Sequence, residues 1–248
     1  MRTASVVRMS ASVADNLMCV LEKIRVTYEK TSPETRSKNL PNLIAVSKTK
    51  PKENIIEAYN AGQRHFGENY VQELLEKSTE LESTCPEISW HFIGSLQSKN
   101  VSKLLKVRNL SVLHTLSSRS LADKLQNATQ ARDIPSLSVL VQVNVSGEAN
   151  KGGVAFGPEV SALVSYILSS CPRLHFLGLM AIGAPGEEKA DFSRMRDLRR
   201  DVAQEHGINE ESLRLSIGMS GDMETAVEYG STDLRMGRQI FGERTPKA

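Results

Sequence analysis

Short apolar runs alternate with helix-like segments along almost the whole chain of 248 residues. The intervening segments repeat their apolar residues every three or four positions, as in NIIEAYNAG, where Ile55, Ile56 and Tyr59 share one face. This alternation is typical of a parallel sheet whose strands are joined by helices. Eight runs have the length and composition of buried strands: LIAVS (43–47), HFGEN (65–69), WHFIG (90–94), VLHTL (112–116), LSVLVQVNV (137–145), HFLGLMAI (175–182), LRLSIGM (213–219) and DLRMG (233–237).

Eight strands with helices between them predict a closed (β/α)8 TIM barrel, a fold that typically uses about 250 residues. The alternative is an open doubly wound sheet, but no GxGxxG follows the first strand, and GQRHFGEN does not match that fingerprint. We therefore predict one α/β domain, a single (β/α)8 barrel over residues 12–248. An additional N-terminal helix at roughly 12–30 would precede the first strand, and residues 1–11 would form a flexible tail.

The charge pattern argues against nucleic acid as a partner. The formal net charge is +2, and no segment carries a dense basic stripe. No apolar run approaches the roughly 20 residues that cross a bilayer, so we expect no contact with a membrane interior.

The three cysteines, Cys19, Cys85 and Cys171, lie far apart and form no CxxC or Cys/His cluster. This scatter suits a reducing compartment and predicts no metal site. We expect a cytoplasmic protein. The start, MRTASVVRMSASVADN, contains Arg2 and Arg8 and is weakly similar to a mitochondrial transit peptide. A mitochondrial fraction therefore stays open, although a frayed tail is the simpler interpretation.

The first strand runs directly into a lysine, in LIAVSKTKP. A charged ammonium at the mouth of an apolar core is costly unless something uses it. In barrels of this kind the chemistry lies at the carboxyl ends of the strands. Burial there favours the neutral amine, which is the form that condenses with a carbonyl group, so Lys48 is better placed for this chemistry than Lys50 in the following turn.

The last two strand ends have the composition of an anion site. GMSGDMETA places a turn of small residues at a helix entrance, with Ser220 and Asp222 as candidate caps. RMGRQIFG repeats the arrangement at Gly237, where a missing side chain would let a ligand approach the backbone. Together with Lys48, these turns predict a phosphorylated carbonyl ligand held as a Schiff base. Two classes fit: pyridoxal-phosphate proteins and cofactor-free aldolases that act on sugar phosphates.

Several longer motifs resemble one family. They occur in order from about residue 43 to residue 244: AVSKTKP, HFGENYVQE, WHFIGSLQ, NVSGEANKGG, LMAI, SIGMSGDMETAVEYGSTDLRMG and IFGER. They resemble the YggS/PROSC family of pyridoxal-phosphate-binding homeostasis proteins, which are related in fold to the barrel domain of alanine racemase. The resemblance implies a role in intracellular vitamin B6 homeostasis, with pyridoxal 5'-phosphate as the cofactor.

The resemblance also implies a role for each site residue. Lys48 would form the Schiff base with the cofactor, and Arg235 would face the pyridine nitrogen. The phosphate would be held by Ser220 and by the backbone amides around Gly237 and Arg238. The full set of implied cofactor-binding residues is Lys48, Asn69, Met219, Ser220, Arg235, Gly237 and Arg238, with His91 as a weaker candidate for the wall.

One position departs from the family pattern. Members usually have Thr or Ser after the glycine of the last motif, where this chain has Arg238. A hydroxyl donor is lost, while the backbone amide remains. Arg238 could pair with the phosphate or point to solvent.

The residues favour a binding protein over an enzyme. An arginine cannot accept a hydrogen bond, so Arg235 would oppose protonation of the pyridine nitrogen and weaken the cofactor as an electron sink. Alanine racemase takes its second base from an added domain, which we do not expect after Phe241. We therefore expect a monomeric carrier without catalytic residues, which could supply PLP-dependent apo-enzymes. The alternative is a PLP-dependent amino-acid racemase or lyase of low activity.

Four histidines fall within strand runs, namely His65, His91, His114 and His175, so a catalytic histidine stays open. Packing in the barrel interior is the expected fate for three of them. Glu68, at the end of the second strand, is expected to pair with a neighbouring barrel residue rather than to act as a base.

Overall fold

The eight predicted strands are present and lie parallel around a closed barrel. The computed structural model describes residues 12–148 and 151–243, so the tail predicted at 1–11 lies outside the described residues. The strands are β1 Asn42–Val46, β2 His65–Glu68, β3 Ser89–Phe92, β4 Leu110–Leu116, β5 Leu137–Asn144, β6 Val154–Ala155, β7 Leu174–Ala181, β8 Arg214–Ser216 and β9 Asp233–Met236.

Closure comes from the pairing of β1 with β9 and of β4 with β5. These two contacts join the parallel series β1-β2-β3-β4-β5-β7-β8-β9 into a ring, and the barrel prediction is confirmed. The prediction missed β6, a two-residue strand that pairs with Val143 and Asn144 of β5, beyond the last residue paired with β4. Two residues are too few to leave a period-two pattern in the sequence.

Helices cover the outside of the barrel. They are α1 Val13–Lys30, α2 Lys52–Asn60, α3 Val71–Glu80, α4 Val101–Leu104, α5 Arg119–Ala131, α6 Pro158–Ser170, α7 Glu188–His206, α8 Met223–Glu228 and α9 Arg238–Phe241. The additional N-terminal helix is confirmed as α1. It begins with a capping box, in which Ser12 and Asp15 satisfy each other's backbone amides. Its buried residues, Leu17, Val20 and Ile24, belong to the main core.

Side chains alternate along each strand between the helices and the barrel lumen. The outward residues, among them Phe66, Trp90, Phe92 and Leu113, are fully buried in the core shared with the helices. A smaller apolar cluster stands apart from that core and consists of Val112, Leu140 and Met180. These three residues occupy inward positions. Barrel interiors are usually filled by such bulky apolar side chains.

The lumen also contains a row of polar side chains. His65 Nδ1 lies 2.9 Å from His91 Nε2, and His91 Nδ1 lies 2.9 Å from His114 Nε2. His114 Nδ1 is in turn 3.2 Å from Ser216 Oγ. We call His65, His91, His114 and Ser216 the lumen chain.

The histidines of the lumen chain confirm the expectation that three of the four strand histidines pack in the interior. His91 and His114 are completely buried, His65 is half-buried, and His175 on β7 is exposed. Burial lowers the pKa of His65 and holds the pKa values of His91 and His114 well below the ordinary value, because a buried imidazolium would lose its hydration. His91 and His114 are therefore neutral at neutral pH.

We predict that acid destabilises the fold through His91 and His114. Below pH about 6.5 the unfolded chain protonates both rings while the folded chain does not, so the free energy of unfolding falls as the pH falls. Each ring contributes a slope of about 1.4 kcal/mol per pH unit. Urea unfolding between pH 5 and 7 measures the slope, and His114→Gln should reduce it by about one such increment. His175→Gln is the matched surface control. An unchanged slope in His114→Gln contradicts the prediction.

Candidate functional site

A cavity of about 540 Å³ opens at the carboxyl ends of the strands. Its size lies within the range of roughly 300–1,000 Å³ that is typical of small-molecule sites. All seven residues predicted to bind a cofactor line it: Lys48, Asn69, Met219, Ser220, Arg235, Gly237 and Arg238. The structure therefore brings together residues that are separated by up to 190 positions in the sequence.

Lys48 is half-buried and lies two residues after the end of β1. The next residue, Thr49, has a left-handed backbone with φ 63°. That conformation is uncommon for a residue other than glycine and persists where surrounding contacts enforce it. The Thr49 amide donates a hydrogen bond of 2.6 Å to Glu73 Oε1 on α3. The backbone that carries Lys48 is thus held by a side chain of the neighbouring helix.

A buried ionic cluster lies directly behind this segment, between the barrel and α3. Lys77 Nζ donates to Glu68 Oε1 and Glu73 Oε1, both at 2.7 Å, and to the backbone oxygen of Ser47 at 2.8 Å. The Ser47 hydroxyl donates to Glu68 Oε1 at 2.7 Å. Burial raises the pKa of Glu68, while Lys77 opposes that rise. Glu68 pairs with a neighbour, as expected, and both residues flanking Lys48 are anchored by the cluster.

Asn69 follows β2 and supplies a buried acceptor to the cavity. Its Oδ1 is inaccessible to water and has no hydrogen-bond partner among the described residues. A buried polar atom without a partner costs about 1–3 kcal/mol, so a ligand that donates to it would recover that cost. Gly94, after β3, makes this position available, because a Cβ there would lie 2.0 Å from the Asn69 carbonyl oxygen.

Arg235 forms the floor of the cavity and is only 4% exposed. Its Nη1 donates to the carbonyl oxygen and the hydroxyl of Ser216 at 2.8 and 2.7 Å, and its Nη2 donates to the Ala181 carbonyl at 2.9 Å. Burial lowers the pKa of Arg235 to about 10, so the guanidinium stays charged at neutral pH. Carbonyl and hydroxyl dipoles hold this cation, and it forms no ion pair with a carboxylate of the described residues.

The turn after β8 forms one side of the rim. Met219 is exposed, and Ser220 is half-buried. The prediction that Ser220 or Asp222 caps the following helix by its side chain is wrong. Asp222 occupies the N-cap position of α8, but its carboxylate accepts from the Met219 amide, and no side chain caps that helix. The Asp222 side chain thus forms its hydrogen bond within the turn and not with the helix.

Gly237 has a packing role that its sequence does not show. A Cβ at this position would lie 2.8 Å from the Val46 carbonyl oxygen and 3.3 Å from Val46 Cβ. The missing side chain therefore lets the end of β9 pack against the end of β1. Gly237 lines the cavity through its backbone.

The structure favours the solvent-facing alternative for Arg238. Its side chain is 73% exposed and forms an ion pair of 3.2 Å with Glu243. Lys50, in the turn after Lys48, also reaches this side of the cavity and donates to the Glu243 carbonyl oxygen. Arg238 and Lys50 give the rim positive charge.

Sequence reasoning missed most of the apolar wall, which consists of Val46, Ile93, Met180 and Ile182. Strand alternation carries a signal for them, since each lies an even number of residues from an inward position of its strand. His91, proposed as a weaker wall residue, does not line the cavity but lies deeper in the lumen. Over residues 12–148 and 151–243 there is no group of three or more His, Cys, Asp or Glu that could hold a metal ion. In the same residues no helix is long and apolar enough to span a bilayer.

Comparison with known proteins agrees with the fold. The family model described as alanine racemase, N-terminal domain, matches residues 30–245. The pyridoxal phosphate homeostasis protein of Bos taurus is 51% identical over 212 residues, which cover 82% of this chain and 77% of that protein. The protein of the same name from Vibrio cholerae is 38% identical over 239 residues, covering 94% and 97%. PipY of Synechococcus elongatus, solved with PLP bound, is 32% identical with a TM-score of 0.74, covering 93% of this chain and all of that one.

The barrel and its cavity define a protein of the alanine racemase N-terminal-domain class. Relatives that match over most of the chain identify the family within this class. This chain belongs to the family of pyridoxal phosphate homeostasis proteins, and the resemblance seen in its motifs is confirmed.

We predict that Gly237→Ala disturbs the packing of β9 on β1 beside the cavity, because its Cβ would press on the Val46 carbonyl. Overpacking of this kind costs about 1–3 kcal/mol, measured as the free energy of unfolding in urea. Gly221→Ala is the matched control, since a Cβ at Gly221 meets no atom within 4 Å and Gly221 lines the same cavity. Equal stability of the two variants would show that the close packing of β9 on β1 is not required.

Proposed function

We propose that this protein binds pyridoxal 5'-phosphate in the cavity, attached to Lys48 as a Schiff base, and that it serves intracellular vitamin B6 homeostasis without catalytic turnover. The observation that carries the proposal is the pairing of a half-buried, backbone-anchored lysine with a buried guanidinium in one cavity. When bound, the cofactor supplies an aldehyde that condenses with an amine.

The residues present fit such a ligand. Asn69 Oδ1 offers a buried acceptor without a partner, which suits a hydroxyl on the ring. Arg235 can donate to a pyridine nitrogen but cannot accept from it, so it would keep that nitrogen unprotonated. For the phosphate we propose Ser220 and the backbone amides of Gly237 and Arg238 at the rim, with Lys50 contributing positive charge.

The relatives support binding over catalysis. PipY was solved with PLP bound, and the matching proteins of Bos taurus and Vibrio cholerae are named for homeostasis rather than for a reaction. An arginine opposite the pyridine nitrogen would also weaken the ring as an electron sink. We therefore propose a carrier that keeps the reactive aldehyde bound.

The finer features of this role are part of the same proposal. We place the protein in the cytoplasm as a monomer that delivers the cofactor to PLP-dependent apo-enzymes. The scattered cysteines support a reducing compartment, since Cys85 and Cys171 are buried thiols and Cys19 is exposed without a disulfide.

We predict that Lys48 is the attachment residue. Reduction of the pyridoxal-phosphate-loaded protein with borohydride should fix a pyridoxyl group on the peptide that contains Lys48, as read by mass spectrometry. Lys48→Ala should lose the adduct and the visible absorption band of the bound cofactor. Lys52→Ala is the matched control, because Lys52 lies on the same segment, is exposed and pairs with Glu80 outside the cavity. An adduct on another lysine in the unaltered protein would refute the assignment.

We predict that the loaded protein does not exchange the α-proton of amino acids rapidly. Incubation with a panel of L- and D-amino acids in deuterated water, followed by NMR, measures the exchange directly. Rapid exchange with any of these amino acids would contradict the carrier proposal and support the alternative of a racemase or lyase. A purified protein that lacks the absorption band and cleaves a sugar phosphate would instead indicate a cofactor-free aldolase.

A further inference from the structure

The lumen chain connects the two ends of the barrel. His65 is the first residue of β2, at the amino-terminal end, whereas Ser216 is the last residue of β8, at the carboxyl end. The register places Gly67 opposite His91, and His91 opposite Val112. Each histidine therefore lies one inward position closer to the carboxyl end of the barrel than the one before it. The lumen chain thus runs along the barrel axis. At the top, Ser216 Oγ accepts from Arg235 Nη1 at 2.7 Å, in the floor of the cavity.

The hydrogen bonds of the lumen chain must all run in one direction. A neutral histidine has one N–H and one acceptor nitrogen, so each ring can donate on one side only. Ser216 Oγ receives an N–H from the charged Arg235. The field of this cation turns the serine hydroxyl hydrogen away from it, towards His114 Nδ1.

The direction of the serine hydroxyl then sets every tautomer. His114 must carry its hydrogen on Nε2 and donate to His91 Nδ1. His91 must likewise carry its hydrogen on Nε2 and donate to His65 Nδ1. The charge on Arg235 thus orients a row of dipoles that ends at His65, and the centroids of successive histidine rings in this row are 5.2 Å apart.

We propose that the lumen chain is a proton-linked relay, which couples a positive charge on His65 at the amino-terminal end of the barrel to the hydrogen bonding of Arg235 in the cavity. His65 is the member that holds the added charge because it is the one partly exposed member of the lumen chain, while His91, His114 and Ser216 are completely buried. The proposal does not depend on which ligand the cavity holds.

Protonation of His65 reverses the lumen chain by proton transfer along its existing hydrogen bonds. His65 Nδ1 takes the hydrogen of His91 Nε2, and His91 Nδ1 takes the hydrogen of His114 Nε2. His114 Nδ1 takes the hydrogen of Ser216 Oγ, which gains one proton from the cavity end in exchange and then accepts from His114 Nδ1. The balance is the uptake of one proton at Ser216 Oγ and one added positive charge on His65, with no bond formed or broken other than N–H and O–H bonds.

Reversal changes the contacts of Arg235. Ser216 Oγ then receives N–H donors from both His114 and Arg235, and its own hydrogen loses its acceptor in the chain. An unsatisfied buried donor and a second N–H beside the cation are both unfavourable. The bond between Arg235 and Ser216 therefore weakens when His65 is protonated, and the penalty in turn opposes protonation of His65.

Three charged groups face the lumen chain from neighbouring strands. Arg214 on β8 opposes protonation of all three histidines, and Arg235 on β9 opposes that of His114. Asp233 on β9 favours protonation of His65, and it also lies 3.5 Å from Arg214. The opposing cations at both ends make the neutral, one-directional chain the resting state.

The direction of the chain can be tested on the unaltered protein without ligand. Long-range ¹H–¹⁵N NMR spectra of ¹⁵N-histidine-labelled protein at pH 7.5 report which ring nitrogen carries the hydrogen. The relay requires the Nε2–H tautomer at His65, His91 and His114. A mixture of tautomers along the chain, or Nδ1–H at His114, would overturn it.

The coupling can be tested by titration of His65 in variants at the far end. Ser216→Ala removes the link to Arg235 and should raise the titration midpoint of His65 by about half a pH unit or more, a measurable part of the roughly 1-unit spread of histidine pKa values in proteins. Ser216→Thr keeps the hydroxyl and should retain the original midpoint. His175→Gln serves for signal assignment, because His175 lies on the surface of β7.

The Arg235 side gives an independent readout. In the unaltered protein, the guanidinium N–H signals of Arg235 should shift with the midpoint of His65, and in Ser216→Ala they should not. The relay is wrong if the titration midpoint of His65 does not change in Ser216→Ala, or if it changes equally in Ser216→Thr. In either case the lumen chain has only a packing role. Failure of these tests would leave cofactor attachment to Lys48 untouched, since borohydride mapping tests that separately.

Discussion

The parallel pairing of β1 with β9 is the contact on which the rest of the structure depends. It closes the barrel, places Ile44 opposite Arg235 and Ala45 opposite Met236, and thereby fixes where Lys48 stands relative to the cavity floor. The strands approach this closely at their carboxyl ends because Gly237 has no Cβ to press on the Val46 carbonyl. The absence of a side chain at Gly237 thus allows the first and last strands to pair closely at the site.

The buried charge of Arg235 is the second constraint, and it explains why the lumen departs from the usual apolar filling. Taking a guanidinium out of water costs several kcal/mol, which only well-placed acceptors offset. Ser216 and Ala181 provide three such bonds. Arg235 and Asn69 both line the cavity, and Asn69 Oδ1 is a buried acceptor without a partner among the described residues. The site is therefore organised for a polar ligand before that ligand arrives.

The backbone around Lys48 is anchored on the outer side of the barrel sheet, whereas the Lys48 side chain lies on the cavity side. The ionic cluster of Glu68, Glu73 and Lys77 lies outside the lumen and anchors the backbone on either side of the lysine. The lysine itself, by strand alternation, turns back towards the cavity. The residues that fix its position are thus separate from the residues that would contact a ligand, so the charges that restrain the backbone do not compete for the ligand.

Local patterns in the sequence determined the strand and helix order, the barrel and the placement of Lys48 and Asn69 at strand ends, because hydrophobic periodicity and strand polarity act over a few residues. The role of Arg235 was implied by the family motifs and not by such a pattern. Contacts between distant segments could not be read in this way. The side chain of Asp222 bonds to the Met219 amide instead of capping α8, Arg238 pairs with Glu243, and Gly237 makes room for Val46. The lumen chain depends on the stagger between β2, β3 and β4, which brings histidines on successive strands into hydrogen-bonding distance. Only the tertiary structure decided that stagger, since the register of neighbouring parallel strands is set by closing the ring and packing the helices around it, and no single strand encodes it.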